Sequence, residues 1–158
     1  MNIFEEFHKI VTVMDENNLE YALVGGVAMA FHDEARFTED IDILLLPGDM
    51  DILIKVLSEI GYSESATPWT FKETNMTLHR FIKIVGNDHL LLDILTANEN
   101  RTQQIIINSL RAESVYGTVR VAAKEDLIWM KRQRDSDQDR VDIKRLEDNR
   151  NEKNRQNP

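Results

Sequence analysis

A chain of 158 residues with 42% hydrophobic and 30% charged side chains is long enough for one domain with a sizeable core and has the composition of a soluble protein. It has no cysteine, which excludes a disulfide framework, a thiolate nucleophile and a cysteine zinc site. The formal charge of −9 is uneven: residues 1–130 hold 10 basic and 21 acidic side chains and residues 131–158 hold 9 and 7, so the acidic body argues against a broad nucleic-acid footprint while the last helices keep enough basic character to hold one RNA end.

The opening Met1-Asn2-Ile3-Phe4-Glu5-Glu6 is acidic and lacks a long apolar core, so neither a signal peptide nor a spanning helix is expected, and the expected location is the cytoplasm, with no membrane partner. Ile3, Phe4, Phe7, Ile10, Val11 and Met14 recur at helical spacing, which predicts a packing helix within 2–18, ended by Asn17-Asn18. Tyr21 to Val24 is a short apolar run that stops at Gly25-Gly26, and Val27 to His32 continues as a helix from that glycine turn. Strand, glycine turn and helix together offer free backbone N–H groups, the positive end of a helix dipole and room for close approach, a combination that suits a phosphate.

In Thr38-Glu39-Asp40-Ile41-Asp42-Ile43, acidic and apolar residues alternate, the pattern of a strand. Side chains repeat every two residues along a strand, so Asp40 and Asp42 share one face and Ile41 and Ile43 the other. Two neighbouring carboxylates repel unless a cation or a shared proton relieves them, and Mg²⁺ is a hard ion held by one or two carboxylates plus substrate phosphates.

Pro47-Gly48-Asp49 punctuates that strand, and apolar residues at 50, 53, 54, 57 and 60 predict a helix closed by Gly61. Residues 62–75 give no firm pattern. Strands are predicted over 76–85 and 89–96 about a turn at Gly86-Asn87-Asp88, followed by a helix over 100–110 and two β-prone pieces about Tyr116-Gly117. A helix starts at Lys124 and a last one near Ser136. Residues 1–148 read as a single domain, and 149–158, rich in asparagine and charge without apolar anchors, as a disordered tail.

Gly25-Gly26, a spacer with His32, Arg36 and Thr38, and then Asp40-Ile41-Asp42 resemble the signature of the polymerase-beta-type nucleotidyltransferase superfamily, in its minimal AbiEii-like form. Leu90-Leu91-Leu92-Asp93-Ile94-Leu95 is similar to the strand that carries that family's third aspartate. Residues 121–131 and 138–146 resemble its closing helices, with Lys131 matching a lysine and Gln138 standing where lysine is frequent. The resemblance spans roughly residues 19–146. It implies an α+β fold, a mixed β-sheet flanked by helices with further helices at the C-terminus.

The activity it implies is transfer of a nucleoside monophosphate from a nucleoside triphosphate bound with Mg²⁺ (or Mn²⁺) to an acceptor hydroxyl on a tRNA 3′ end, a protein or a small molecule such as an aminoglycoside. Asp40, Asp42 and Asp93 would be catalytic and metal-binding, and Gly25, Gly26, Arg36, Thr38 and Lys131 nucleotide-binding. A cognate antitoxin or toxin is the implied partner. The competing reading is an idle module of the same fold that binds a partner protein and transfers nothing. His32 reads as a structural histidine, Arg36 as a group that orients the aspartate pair or contacts a phosphate, or else as a surface partner of Glu34 or Glu39, and the run Lys131, Arg132 and Arg134 as the kind of cluster that usually forms a solvated helix face.

Overall fold

The computed structural model describes residues 1–32, 39–71, 74–114 and 117–156, with side chains as far as Asp148. Helix α1 (Ile3–Glu16) begins where the Asn2 side chain accepts from the backbone N–H groups of Phe4 and Glu5, and it buries Phe7, Ile10, Val11 and Met14. β1 (Tyr21–Val24) passes directly into α2 (Gly25–Phe31), and β2 (Asp40–Leu45) returns alongside β1, antiparallel. A 3₁₀ turn at Pro47–Asp49 leads into α3 (Met50–Glu59). Two short strands, β3 (Ser63–Glu64) and β4 (Trp69–Thr70), occupy the stretch without a sequence pattern; each pairs with β5 (Thr77–Val85).

β5 and β6 (Asp88–Thr96) form the expected hairpin about Gly86, whose φ of +60° is the left-handed conformation glycine tolerates. α4 covers Glu99–Asn108, shorter than the expected 100–110, because Leu110 opens β7 (Leu110–Ser114), which pairs with β8 (Gly117–Val121). α5 (Lys124–Arg134) and α6 (Asp137–Gln156) close the chain, and the backbone of α6 stays helical past Asn149. Among the described residues no helix is long and apolar enough to cross a membrane.

The eight strands of the described residues join one mixed sheet, in the order β3-β5-β6-β2-β1-β8-β7 with β4 also on β5. β2 lies between antiparallel β1 and parallel β6, so both of its backbone edges are paired. Residues 41–45 of β2 and all of β1 are buried, the condition of a sheet covered on both faces. On one face α1 is pinned by buried Glu6, which accepts from Lys83 of β5 (3.0 Å), from Lys9 (2.9 Å) and from the Tyr62 hydroxyl (3.0 Å). Burial works against that charge, yet these three donors hold the Glu6 carboxyl below its ordinary range. Strand alternation sends Arg80 of β5 to the opposite face from Lys83, and that face carries the candidate chemistry.

Candidate functional site

Asp42 of β2 stands directly opposite Asp93 of β6, in register across parallel strands, and Arg80 stands opposite Asp93 on the other side. Side chains in register share a face and neighbouring strands run about 4.8 Å apart. One row across the sheet therefore reads Arg80, Asp93, Asp42, with Val24, the last residue of β1, paired to Asp42. Asp40 lies two residues earlier on the same face. The expectation that the hairpin brings Asp93 beside the aspartate pair matches this register.

Asp42 is 7% exposed, and burial first, then the neighbouring Asp93 charge, pushes its carboxyl up to about 7. Asp40 is raised as well, by burial and by Asp93, with Arg80 pulling the other way. Asp93, 2% exposed, is held by the Arg80 fork: Nε donates to Oδ1 and Nη2 to Oδ2, both at 2.8 Å. Among the described residues no three carboxylate or imidazole groups stand as a ready ligand set, and the Asp93 carboxylate is committed to Arg80. The donor chemistry fits a divalent cation nonetheless: Asp42 and Asp93 are hard oxygen donors buried side by side, and such an ion relieves the repulsion between their charges.

Gly25 completes the floor. Its φ is +67°, and a Cβ there would stand 2.6 Å from both Cβ and Cγ of Asp42, so only glycine lets β1 turn into α2 against that carboxylate. Among the described residues no side chain caps the helix start at Gly25-Gly26. Gly25 also lines a small pocket with Val24, Leu95, Met130, Lys131 and Arg134. Lys131 thus reaches the neighbourhood of the glycine turn. Arg36 and Thr38 lie outside the described residues.

The basic run on α5 splits in two. Arg132 is exposed and pairs with Glu147, whereas Lys131 is 4% exposed and donates at 3.0 Å to Oδ2 of Asp142, which is fully buried on α6. Gln138 donates to the other oxygen of Asp142 at 2.9 Å, so where the family has lysine this chain uses an amide to steady the partner of Lys131. Arg134 makes a second fork, to Asp139 at 2.8 and 2.7 Å, and Ser136 donates its hydroxyl and N–H to the same carboxylate. Burial opposes the Asp139 charge, but these donors hold its carboxyl below the ordinary range. The positive charge of Arg134 also acts on Asp42, lowering its carboxyl against burial. His32 is buried with Nε2 2.8 Å from the Ala122 carbonyl oxygen, which bears out its structural reading.

Sequence reading missed Arg80, Asp139 and Asp142, and named Arg134 only within a cluster of the kind that is usually solvated. The signal for Arg80 was present: pairing Val85 with Asp88 across the glycine turn fixes Arg80 opposite Asp93. For Arg134 it was the three-residue spacing from Lys131, which puts both on one side of α5.

The family described as "Nucleotidyl transferase AbiEii toxin, Type IV TA system" matches residues 11–148. No curated protein matches the chain in sequence. Among solved structures, a putative nucleotidyltransferase from Thermotoga maritima is similar with a TM-score of 0.62 and 13% identity, over 98% of this chain and 92% of its own. The lincosamide antibiotic adenylyltransferase LnuA, lincomycin-bound, gives 0.57 and 16% over 93% and 97%. ANT(2″)-Ia in complex with adenylyl-2″-tobramycin gives 0.55 and 21% over 90% and 85%. At these identities the structural likeness speaks for the fold.

Proposed function

From the premise that the chain belongs to the AbiEii nucleotidyl transferase family, we propose that it moves a nucleoside monophosphate from a nucleoside triphosphate to an acceptor hydroxyl, releasing pyrophosphate. The observation that carries this reading is Asp42 in register with Asp93 across β2 and β6, seated against Gly25. Asp40, Asp42 and Asp93 are the residues that would hold Mg²⁺ or Mn²⁺, which when bound neutralises charge on the phosphoryl oxygens. Gly25 and Gly26 offer backbone N–H groups to the phosphates at the start of α2, and Lys131 with Arg134 adds positive charge beside them. Asp93 takes the proton as the acceptor oxygen bonds to the α-phosphorus and the bond to the β-phosphate breaks. Arg36 and Thr38 belong to the phosphate contacts in the same proposal.

The acceptor in this reading is a tRNA 3′ end, a protein or a small molecule, and a cognate antitoxin or toxin partner and a cytoplasmic location go with it. An idle module that only binds a partner is the reading favoured by one observation, the full engagement of Asp93 by Arg80. Incubation with triphosphates labelled at the α- or the γ-phosphorus, in the presence of a cell lysate as the source of acceptors, separates the two. Nucleotidyl transfer puts α-label and no γ-label into an acceptor, and loses it in Asp42→Asn. Transfer of γ-label would mean phosphoryl transfer, and transfer of neither label would leave the idle module.

A further inference from the structure

Arg80 is placed unlike the other charged groups near the row of carboxylates. Its guanidinium lies between a carboxylate that is almost fully buried and an aromatic ring that is not. On one side it grips both oxygens of Asp93; on the other its central carbon lies 5.7 Å from the centroid of Trp69, a ring 39% exposed on β4. That distance is near the outer limit of a cation–π contact, so the ring can be approached more closely.

The backbone under Asp93 has little freedom, because β6 is paired along its length with β5 and over five residues with β2. The Arg80 side chain is freer: it is 33% exposed. Any second cation at Asp93 meets the guanidinium at the same two oxygens, and two positive groups a few ångströms apart in a buried site repel strongly. Repulsion is what parts them, and the side chain with room to move is the one that is partly in solvent and has a ring beside it.

We propose that Arg80 is a positioning residue that latches Asp93 and withdraws onto Trp69 when a divalent cation takes the carboxylate. This inference rests on the reading of Asp40, Asp42 and Asp93 as cation ligands. The latch orients Asp93 at the expense of metal affinity, since the guanidinium competes with a cation for the same carboxylate.

The test uses the whole chain and Mn²⁺ alone, followed by loss of the free-ion EPR signal, with Mg²⁺ for fluorescence. Arg80→Lys keeps the charge and gives up the two-pronged grip. A latch predicts that this variant binds Mn²⁺ about tenfold more tightly than the parent, the factor expected when one charge-assisted hydrogen bond no longer has to be broken. A purely electrostatic role for Arg80 leaves Arg80→Lys at the parent affinity, and that result overturns the latch. A second readout needs no change at Arg80: in a Trp129→Phe background Trp69 is the single tryptophan, and saturating Mg²⁺ must alter its emission as the guanidinium closes on the ring. Emission unchanged at saturation sinks the proposal even where Arg80→Lys does not fold. The underlying site reading fails separately, if Mn²⁺ binding by the parent is untouched by Asp42→Asn.

Discussion

The carboxylate of Asp42 rests against the bare Cα of Gly25, so closely that a Cβ at position 25 would stand 2.6 Å from two of its carbons. Neither side can yield cheaply. Asp42 is held in a strand paired on both edges, and Gly25 has φ of +67° where β1 becomes α2. Gly25→Ala combines left-handed strain of about 1 kcal/mol with overpacking of about 1–3 kcal/mol. The expected outcome is a loss of about 2–4 kcal/mol in urea unfolding; a variant as stable as its parent would show that β1 and β2 part easily here.

Burial of Asp42 also gives the protein a pH dependence of defined sign. Its carboxyl rises from an ordinary 3.8 to about 7 on folding, so between those values the folded chain keeps a proton the unfolded chain has given up. Stability from this group is full below pH 4 and is lost as pH rises through 7, by up to about 1.4 kcal/mol per pH unit. The lowered His79 works in the opposite direction, so the comparison must be with Asp42→Asn, which keeps His79 and removes the titration of Asp42. The stability advantage of Asp42→Asn over the parent is expected to widen from pH 4 to pH 7 and then level off. Urea midpoints at pH 4, 5, 6, 7 and 8 measure it, and a constant difference would contradict the burial argument.

Much of this site can be read locally and some of it cannot. The alternation of Asp40, Ile41, Asp42 and Ile43 predicts a strand with two carboxylates on one face, and the turn at Gly86 predicts the β5–β6 hairpin; both depend on neighbours within a few residues. That β6 lies parallel to β2 is a contact between positions some fifty residues apart, which no short-range period encodes. Lys131 shows the same limit from the other side. Its basic neighbours make it look solvated, and only the packing of α6 against α5 reveals that Asp142 awaits it. β3 and β4 left no pattern because two-residue strands are too short for alternation to register.

The buried pair on α5 and α6 invites a double-mutant cycle. Lys131 and Asp142 meet at 3.0 Å with almost no solvent access, so removing one partner strands a buried charge. Lys131→Met is expected to cost about 3–5 kcal/mol, and adding Asp142→Leu to restore most of it, since an apolar pair of similar volume replaces a buried ion pair at little loss. Arg132→Ala, which breaks only the exposed pair with Glu147, should change stability by less than about 1 kcal/mol. Chemical denaturation of the four proteins tests this; an Asp142→Leu addition that deepens the loss would contradict it.

The division of labour among the aspartates is the sharpest test of the proposed chemistry. Asp42 lies against the glycine turn offered to the phosphates, whereas Asp93 sits on the far side of Asp42 from that turn, next to Arg80. In the proposed chemistry a triphosphate entering with its metal would be held at Asp40 and Asp42 before any acceptor arrives, while Asp93 would act when the acceptor proton leaves. Asp93→Asn should therefore keep most triphosphate affinity and lose turnover by about three orders of magnitude or more, as when an interaction made only in the transition state is removed. Asp40→Asn should lose both. Calorimetry of triphosphate binding, set beside transfer of α-label to an acceptor, gives the two numbers for each variant. If Asp93→Asn transfers label at close to the parent rate, Asp93 serves only as the structural partner of Arg80, and the proton must leave by another route.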